Sequence, residues 1–367
     1  MKSLAALGNE LYAGRTSIPF VAKRRLWYTV AALAVLGSFA LLGLVGLNPG
    51  IDFKGGSEVT VTGLENPSEA PANQVIAKGG YSAGSSVTTM GSSSVRVQTR
   101  SLEKAQLDAL STELAEAYGV TAADISATTI GPTWSGDVTS KAVRGLVIFF
   151  LLVGVLIWAY FRTWKMAAAA LLALCHDVAI TMGVYVVSGF EVTPATVIGV
   201  LTILGYSLYD TVVVFDKIRE NTASFQAQSR STYAELANLA VNQTFIRSVN
   251  TSVVGVLPVA SLLFVGAFVL GAGTLRDIAL TMFIGMLAGT LSSVFLATPL
   301  LVDLRSREKA ITEQAAQVAR SRAKKIAELD GDEEALAALD AAPAAAPLRP
   351  GHHLGVSAQP KRKKKRS

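Results

Sequence analysis

Six long apolar runs alternate with short polar breaks: Leu26–Leu47, Ala142–Phe161, Lys165–Val187, Val192–Phe215, Thr251–Gly271 and Ile278–Leu301. A helix that crosses a bilayer needs roughly 20 predominantly apolar residues. Each run therefore predicts a membrane span. The first is longer than the apolar core of a signal peptide, roughly 7–15 residues, and "LNPGID" after it is a poor cleavage site. It is expected to remain as an anchor.

Between the first two runs the pattern changes. About 90 residues, 48–140, carry period-two alternation and two amphipathic stretches. "DFKGGSEVTVTG" alternates like a strand, "PANQVIAKGG" reads as a short helix closed by glycine, and "SSVTTMG" with "SSSVRVQTR" reads as a hairpin around Gly91. "SLEKAQLDALSTELAEAYGV" reads as a helix with a Ser101 cap and Lys104 at its third position, and "DISATTIGP" as a last strand. The order β-α-β-β-α-β predicts a small ferredoxin-like α+β domain. It has no His/Cys cluster and no phosphate-binding glycine loop, so a binding or mechanical module is expected rather than a catalytic one. In "DFKGG", Asp52, Gly55 and Gly56 form a structural motif, the glycines marking a bulge or tight bend beside the membrane.

Composition agrees with the pattern. Charged residues make up 16% of the chain and hydrophobic residues 51%, against about 25% charged in an ordinary soluble chain. The net charge is +6, much of it in the terminal "PKRKKKRS". A single cysteine, Cys175, excludes an intrachain disulfide framework. Basic residues fix the expected orientation. "AKRR", "FRTWK", "DKIREN" and "DLRSREK" all fall on one side of six spans, while "SGFEVT" and "GAGTLRD" lack a basic excess. Both termini are expected in the cytoplasm and the α+β domain outside it. The organisation is thus a cytoplasmic N-terminus (1–25), a first span (26–47), an extracytoplasmic domain (48–140), five further spans (141–301) and a charged, partly disordered cytoplasmic tail (302–367). Trp27, Trp158 and Trp164 lie near span ends, as interfacial aromatics do.

Polar residues inside the spans are the candidate chemistry. His176 and Asp177 lie near the middle of the third, and Asp210 in the cytoplasmic half of the fourth. A charge at the centre of a bilayer costs upwards of about 2.5 kcal/mol, so such residues face other helices or a water-filled cavity. Tyr206 and Asp210 are i and i+4 and share a face. Arg247, in "NQTFIRSVNTS" before the fifth span, is the natural partner. Three readings of Asp210 compete: interhelical glue, a permanent ion pair, or a proton relay. No G-x-x-x-x-G-K-[ST] loop is present, so work done by this chain is expected to draw on an ion gradient. "CHD" at 175–177 is not a triad, because adjacent helical residues point about 100° apart. "GMLAG" at 285–289 puts small residues at i and i+4, which permits close helix packing.

"GIDFKGG", "ALCHDVAITMGVY", "GFEVTPATVIGVLTILGYSLYDTVVVFDKIREN" and "NQTFIRSVNTS" occur in this order. The ordered set resembles the SecF subunits of the SecD/SecF protein-export family. The likeness runs from about Leu26 to Leu301. It implies an RND-like build, in which six helices are half of a 12-helix unit completed by SecD. It also implies an accessory role in Sec protein export, not enzymatic, that uses the proton motive force to promote translocation of unfolded preprotein through SecYEG. SecA and YajC are implied as contacts through the assembled complex. No cofactor or metal is implied. The bacterial cytoplasmic membrane is the implied location. The family's intramembrane aspartate, its arginine and its His-Asp aspartate match Asp210, Arg247 and Asp177, with His176 beside the last. Tyr206 and Tyr209 are expected to support the site. Many members have Asn before the key aspartate, where this chain has Tyr209.

The tail beyond about Leu301 lies outside the likeness. It reads as a charged helix to about Leu339, an Ala/Pro-rich linker and a basic end. That end has three readings: solvated, held by anionic lipid, or touching ribosomal RNA. Other nucleic-acid binding is not expected. Two other functions compete with proton-driven export: a scaffold whose polar residues are only interhelical glue, and a small-molecule efflux pump.

Overall fold

In the computed structural model of the chain, which describes residues 4–266 and 273–328, the elements follow the apolar runs, and positions 267–271 of the fifth run lie outside the described residues. Helix α1 covers Leu4–Tyr12 and α2 Arg24–Leu44; strand β1 is Asn48–Pro49 and the short helix α3 is Ile51–Lys54. Then come β2 (Gly56–Val61), α4 (Glu69–Lys78), β3 (Ser86–Met90), β4 (Ser94–Thr99), α5 (Lys104–Tyr118) and β5 (Ile125–Ile130). The remaining elements are α6 (Pro132–Phe161), α7 (Trp164–Ser188), β6 (Glu191–Val192), α8 (Pro194–Asn221), α9 (Tyr233–Phe264), α10 (Gly273–Ser292), α11 (Thr298–Ser306) and α12 (Lys309–Glu328). A π-helical turn, Ser293–Ala297, joins α10 to α11. Among the described residues, six helical stretches are long and apolar enough to cross a membrane.

The chain divides into two units. One comprises residues 1–19, 217–246 and 306–367. Its described part is held by polar clamps that the sequence pattern did not suggest. Ile18 and Asn242 exchange backbone-to-side-chain hydrogen bonds, at 2.7 Å to Oδ1 and 3.0 Å from Nδ2. Thr232 and Glu235 form a capping box at the start of α9, with bonds of 2.8 and 3.3 Å. The same Glu235 receives a two-pronged contact from Arg322 of α12, at 2.8 and 2.9 Å. The expected tail helix is described to Glu328; its continuation, the linker and "KRKKKR" lie outside the described residues.

The other unit comprises residues 20–216 and 247–305. It contains the α/β domain, a four-stranded antiparallel sheet in the order β3-β4-β2-β5. This is the ferredoxin-like arrangement that the sequence order predicts. One face is covered by α4 and α5, which bury Ala72, Val75, Ile76, Leu110 and Leu114 against Val59, Val61, Val95 and Val97. The start of α5 differs from expectation. Leu102 is buried and its N–H donates to Ser57 Oγ at 2.9 Å. That extended segment cannot be a first helical turn, so Glu103 caps the helix instead of Ser101, its N–H donating to Gln106 Oε1 at 3.2 Å. Gly55 and Gly56 have φ of 75° and 143°. A Cβ on Gly56 would sit 2.5 Å from the Thr99 carbonyl oxygen, so the neighbouring strand requires glycine here.

Two further features position the site. The residues just after α2 pair in parallel with the α7–α8 loop, Asn48 opposite Glu191 and Pro49 opposite Val192. Helices α8 and α10 run parallel in contact, and glycine brings them close at each of three successive levels. A Cβ on Gly199 would lie 2.9 Å from Thr281 Cβ, one on Gly285 2.5 Å from Ile203 Cγ1, and one on Gly289 2.7 Å from Ser207 Cβ. "GMLAG" thus has the close-packing role its spacing suggests.

Candidate functional site between the spans

Asp210 is 7% exposed, on the face of α8 that looks across to α9 and the sixth span. Both carboxylate oxygens are held by serine. Ser248 Oγ of α9 donates to Oδ1 at 2.6 Å, and Ser293 Oγ, the first residue of the π-helical turn, donates to Oδ2. Single π turns inside α-helices are frequent at functional sites. One turn away on each helix the hydroxyls continue. Ser252 and Thr290 are bonded at 2.5 Å. Tyr206 Oη donates to the Thr251 carbonyl at 2.9 Å. Gly255 leaves room for that phenol, since a Cβ there would approach Tyr206 Oη to 2.9 Å.

Asp177 is 2% exposed on α7. It accepts from Ser207 Oγ at 2.6 Å, and its Oδ1 lies 3.2 Å from His176 Nδ1. Ser207 precedes Asp210 by three residues, so α8 presents Ser207 to one carboxylate and Asp210 itself as the other. The structure therefore brings Asp177, Asp210 and Tyr206 into one polar layer. His176 turns its ring toward an apolar cavity of about 370 Å³ lined by Trp27, Ala288, Leu291 and Phe295.

Arg247 does not pair with Asp210. Its Nη2 donates to Tyr209 Oη at 3.1 Å, on the exposed side of α8, and among the described residues no ion pair joins it to the carboxylate. The expected contact is replaced because Tyr209 and Asp210 point about 100° apart on one helix. Asp52, Gly55 and Gly56 lie away from this layer, in the α/β domain. Burial pushes the Asp52 carboxyl above its ordinary value; its own backbone N–H and Arg96 oppose the rise, and Glu191 adds to it.

Sequence reasoning missed Ser207, Ser248 and Ser293. The signal was present in "RSVNTS", where Ser248 and Ser252 stand four apart on a helix, and in "LSSVF". Serine in a membrane helix is too common to be singled out without its partner. It also missed Asp277, 3% exposed near the start of α10.

Fold and site together define a polytopic helical membrane protein with the carboxylates Asp177 and Asp210 buried between its spans. The family model for the C-terminal part of the SecD/SecF protein export membrane proteins matches residues 110–307, and the SecD/SecF GG motif matches residues 40–62. The chain is 42% identical to the protein translocase subunit SecF of Streptomyces coelicolor, over 91% of this chain and 89% of that protein. It is 44% identical to the SecF of Mycobacterium leprae, over 86% and 70% respectively. The crystal structure of SecDF from Thermus thermophilus superposes with a TM-score of 0.71 at 30% identity, over 80% of this chain. This chain spans about two fifths of that structure, 39% of its length. The chain belongs to the SecF family of protein translocase subunits.

Proposed function

We propose that this SecF-family subunit serves Sec protein export by coupling proton movement at Asp210 to motion of its spans and of the α/β domain. One observation carries the reading: among the described residues, Asp210 is held by two hydroxyls and by no cation. A hydroxyl donates to a carboxylate and equally accepts from a carboxylic acid, whereas arginine only donates. A serine cradle therefore accommodates both protonation states, as a relay requires. A permanent ion pair would hold one.

The sequence supports the surroundings. Basic loops put both termini in the cytoplasm and the α/β domain on the far side of the bacterial cytoplasmic membrane. SecD would supply the matching six helices. SecYEG would deliver the unfolded preprotein, and SecA and YajC would be met through the assembled complex. The energy source is the proton gradient, with no cofactor, and the subunit catalyses no covalent reaction. Protonation of Asp210 removes its charge and reverses its bond to Ser293 or Ser248. The sixth span then changes its hold on α8.

The test compares Asp210→Asn with the parent chain, each assembled with SecD and SecYEG in vesicles bearing a proton gradient. Export stimulated by the gradient is expected to be lost while SecD still co-purifies. Undiminished stimulation sinks the reading. Loss of co-purification would instead make Asp210 interhelical glue.

A further inference from the structure

The seam between α8 and α10 has polar contacts at both ends and glycine between. At one end Ser293 meets Asp210. At the other, four α-helical turns up the sixth span, Thr193 Oγ1 donates to Asp277 Oδ2 at 3.2 Å. Three more contacts order the start of α10: one to α7, one within α10 and one to the α7–α8 loop. Tyr185 Oη donates to the Asp277 carbonyl at 2.9 Å. Arg276 Nη2 pairs with Asp277 Oδ1 at 3.2 Å, and the same guanidinium stacks on Phe190 with 4.8 Å to the ring centre.

That loop is in turn fastened to the α/β domain. Glu191 Oε2 accepts from Gln98 Nε2 at 3.0 Å and from Arg96 Nη1 at 3.3 Å, both on β4. Beside these bonds run the paired strands β1 and β6, and Gly50 N–H donates to the Val192 carbonyl at 2.9 Å. A cavity of about 340 Å³ at this junction is lined by Asp52, Glu58, Arg96, Thr128, Glu191 and Asp277.

We propose that Asp277 is a positioning residue that carries movement of the sixth span to the α7–α8 loop and so to the α/β domain. The inference rests on the proton-coupled reading of Asp210. Between Asp210 and Asp277 each glycine level seats one side chain, Thr281, Ile203 or Ser207, against the bare backbone of the other helix, so the sixth span moves against α8 as one closely packed rod. Release at Ser293 is then felt at Asp277. Thr193 and Arg276 pass it to the loop, and Glu191 passes it to Arg96 and Gln98. Such a route counts as coupling only when cutting it uncouples the two ends.

The experiment uses the full chain with SecD and SecYEG in vesicles, in a Cys175→Ser background carrying Thr128→Cys as a probe in the junction cavity. A membrane-permeant maleimide reads the probe with and without a proton gradient. The parent is expected to change its labelling rate severalfold when the gradient is imposed. Asp210→Asn and Asp277→Asn are each expected to abolish that change, with Asp277→Asn still co-purifying with SecD. Thr193→Val is expected to match Asp277→Asn, and Thr193→Ser to respond as the parent does. Co-purification separates loss of the route from loss of the fold. A full labelling response in Asp277→Asn or Thr193→Val overturns the route while leaving the Asp210 reading intact. Gradient-driven export that survives Asp210→Asn overturns both.

Discussion

Arg247 Nη2 donates to Tyr209 Oη at 3.1 Å, one residue from the carboxylate it was expected to meet. The tyrosine holds the cation on the exposed face of α8. Asp210 is left to two serines on its buried face. Tyr209 therefore parks the arginine, and the buried side of the site runs on hydroxyls.

Removing only that hydroxyl tests the arrangement. Tyr209→Phe frees the guanidinium and is expected to lower gradient-stimulated export severalfold. Tyr209→Asn, which keeps an acceptor for arginine, is expected to retain most of it. Export assays in vesicles with and without the gradient measure both, and full export in Tyr209→Phe with loss in Tyr209→Asn would show that the aromatic ring matters instead.

Ser248→Ala and Ser293→Ala each take one donor from Asp210. Hydrogen bonds between membrane helices contribute about 0.6 kcal/mol on average and up to about 1.7. Each single variant is expected to cost within that range. The double variant is expected to exceed the sum, because the first change leaves the carboxylate one donor and the second leaves it none. Reversible unfolding of the full chain in mixed micelles checks this, and strict additivity would argue against a shared cradle.

Gly289→Ala puts a methyl group 2.7 Å from Ser207 Cβ. Overpacking of this kind costs about 1–3 kcal/mol. The same push separates α10 from α8 near both carboxylates, so coupling is expected to fail along with stability. Gly136→Ala, where nothing lies within 4 Å of a new Cβ, is the control that should change neither.

Asp52 gives a pH prediction with a definite sign. Burial raises its folded-state value above the ordinary 3.8. The folded chain then binds this proton more tightly than the unfolded chain. Stability is lost as pH rises from 3.8 through the raised value. Asp52→Asn removes that slope. It is expected to melt higher than the parent at neutral pH, with the difference closing in acid, as followed by thermal unfolding of the detergent-solubilised chain.

Local pattern was enough for the six spans, the strand and helix order of the α/β domain, the glycine pair at its entry, and the carboxylates Asp177 and Asp210. Each is written in local pattern. Apolar run length sets a span, period-two alternation sets a strand, and the cost of a charge in hydrocarbon makes Asp177 and Asp210 conspicuous one residue at a time. What the tertiary structure decided was partnership. Ser207, Ser248 and Ser293 look like any serine on a membrane helix until three helices converge on two carboxylates. Arg247 was adjacent to the site in the chain's logic, yet its helix phase gives it to Tyr209. Glu191 sits in a short loop with no pattern of its own, and only the strand pairing beside it and the approach of Arg96, 95 positions away, make it the fastening of the domain. Pairing between segments far apart in the chain depends on how helices face one another, and that orientation leaves no trace in the periodicity of either segment alone.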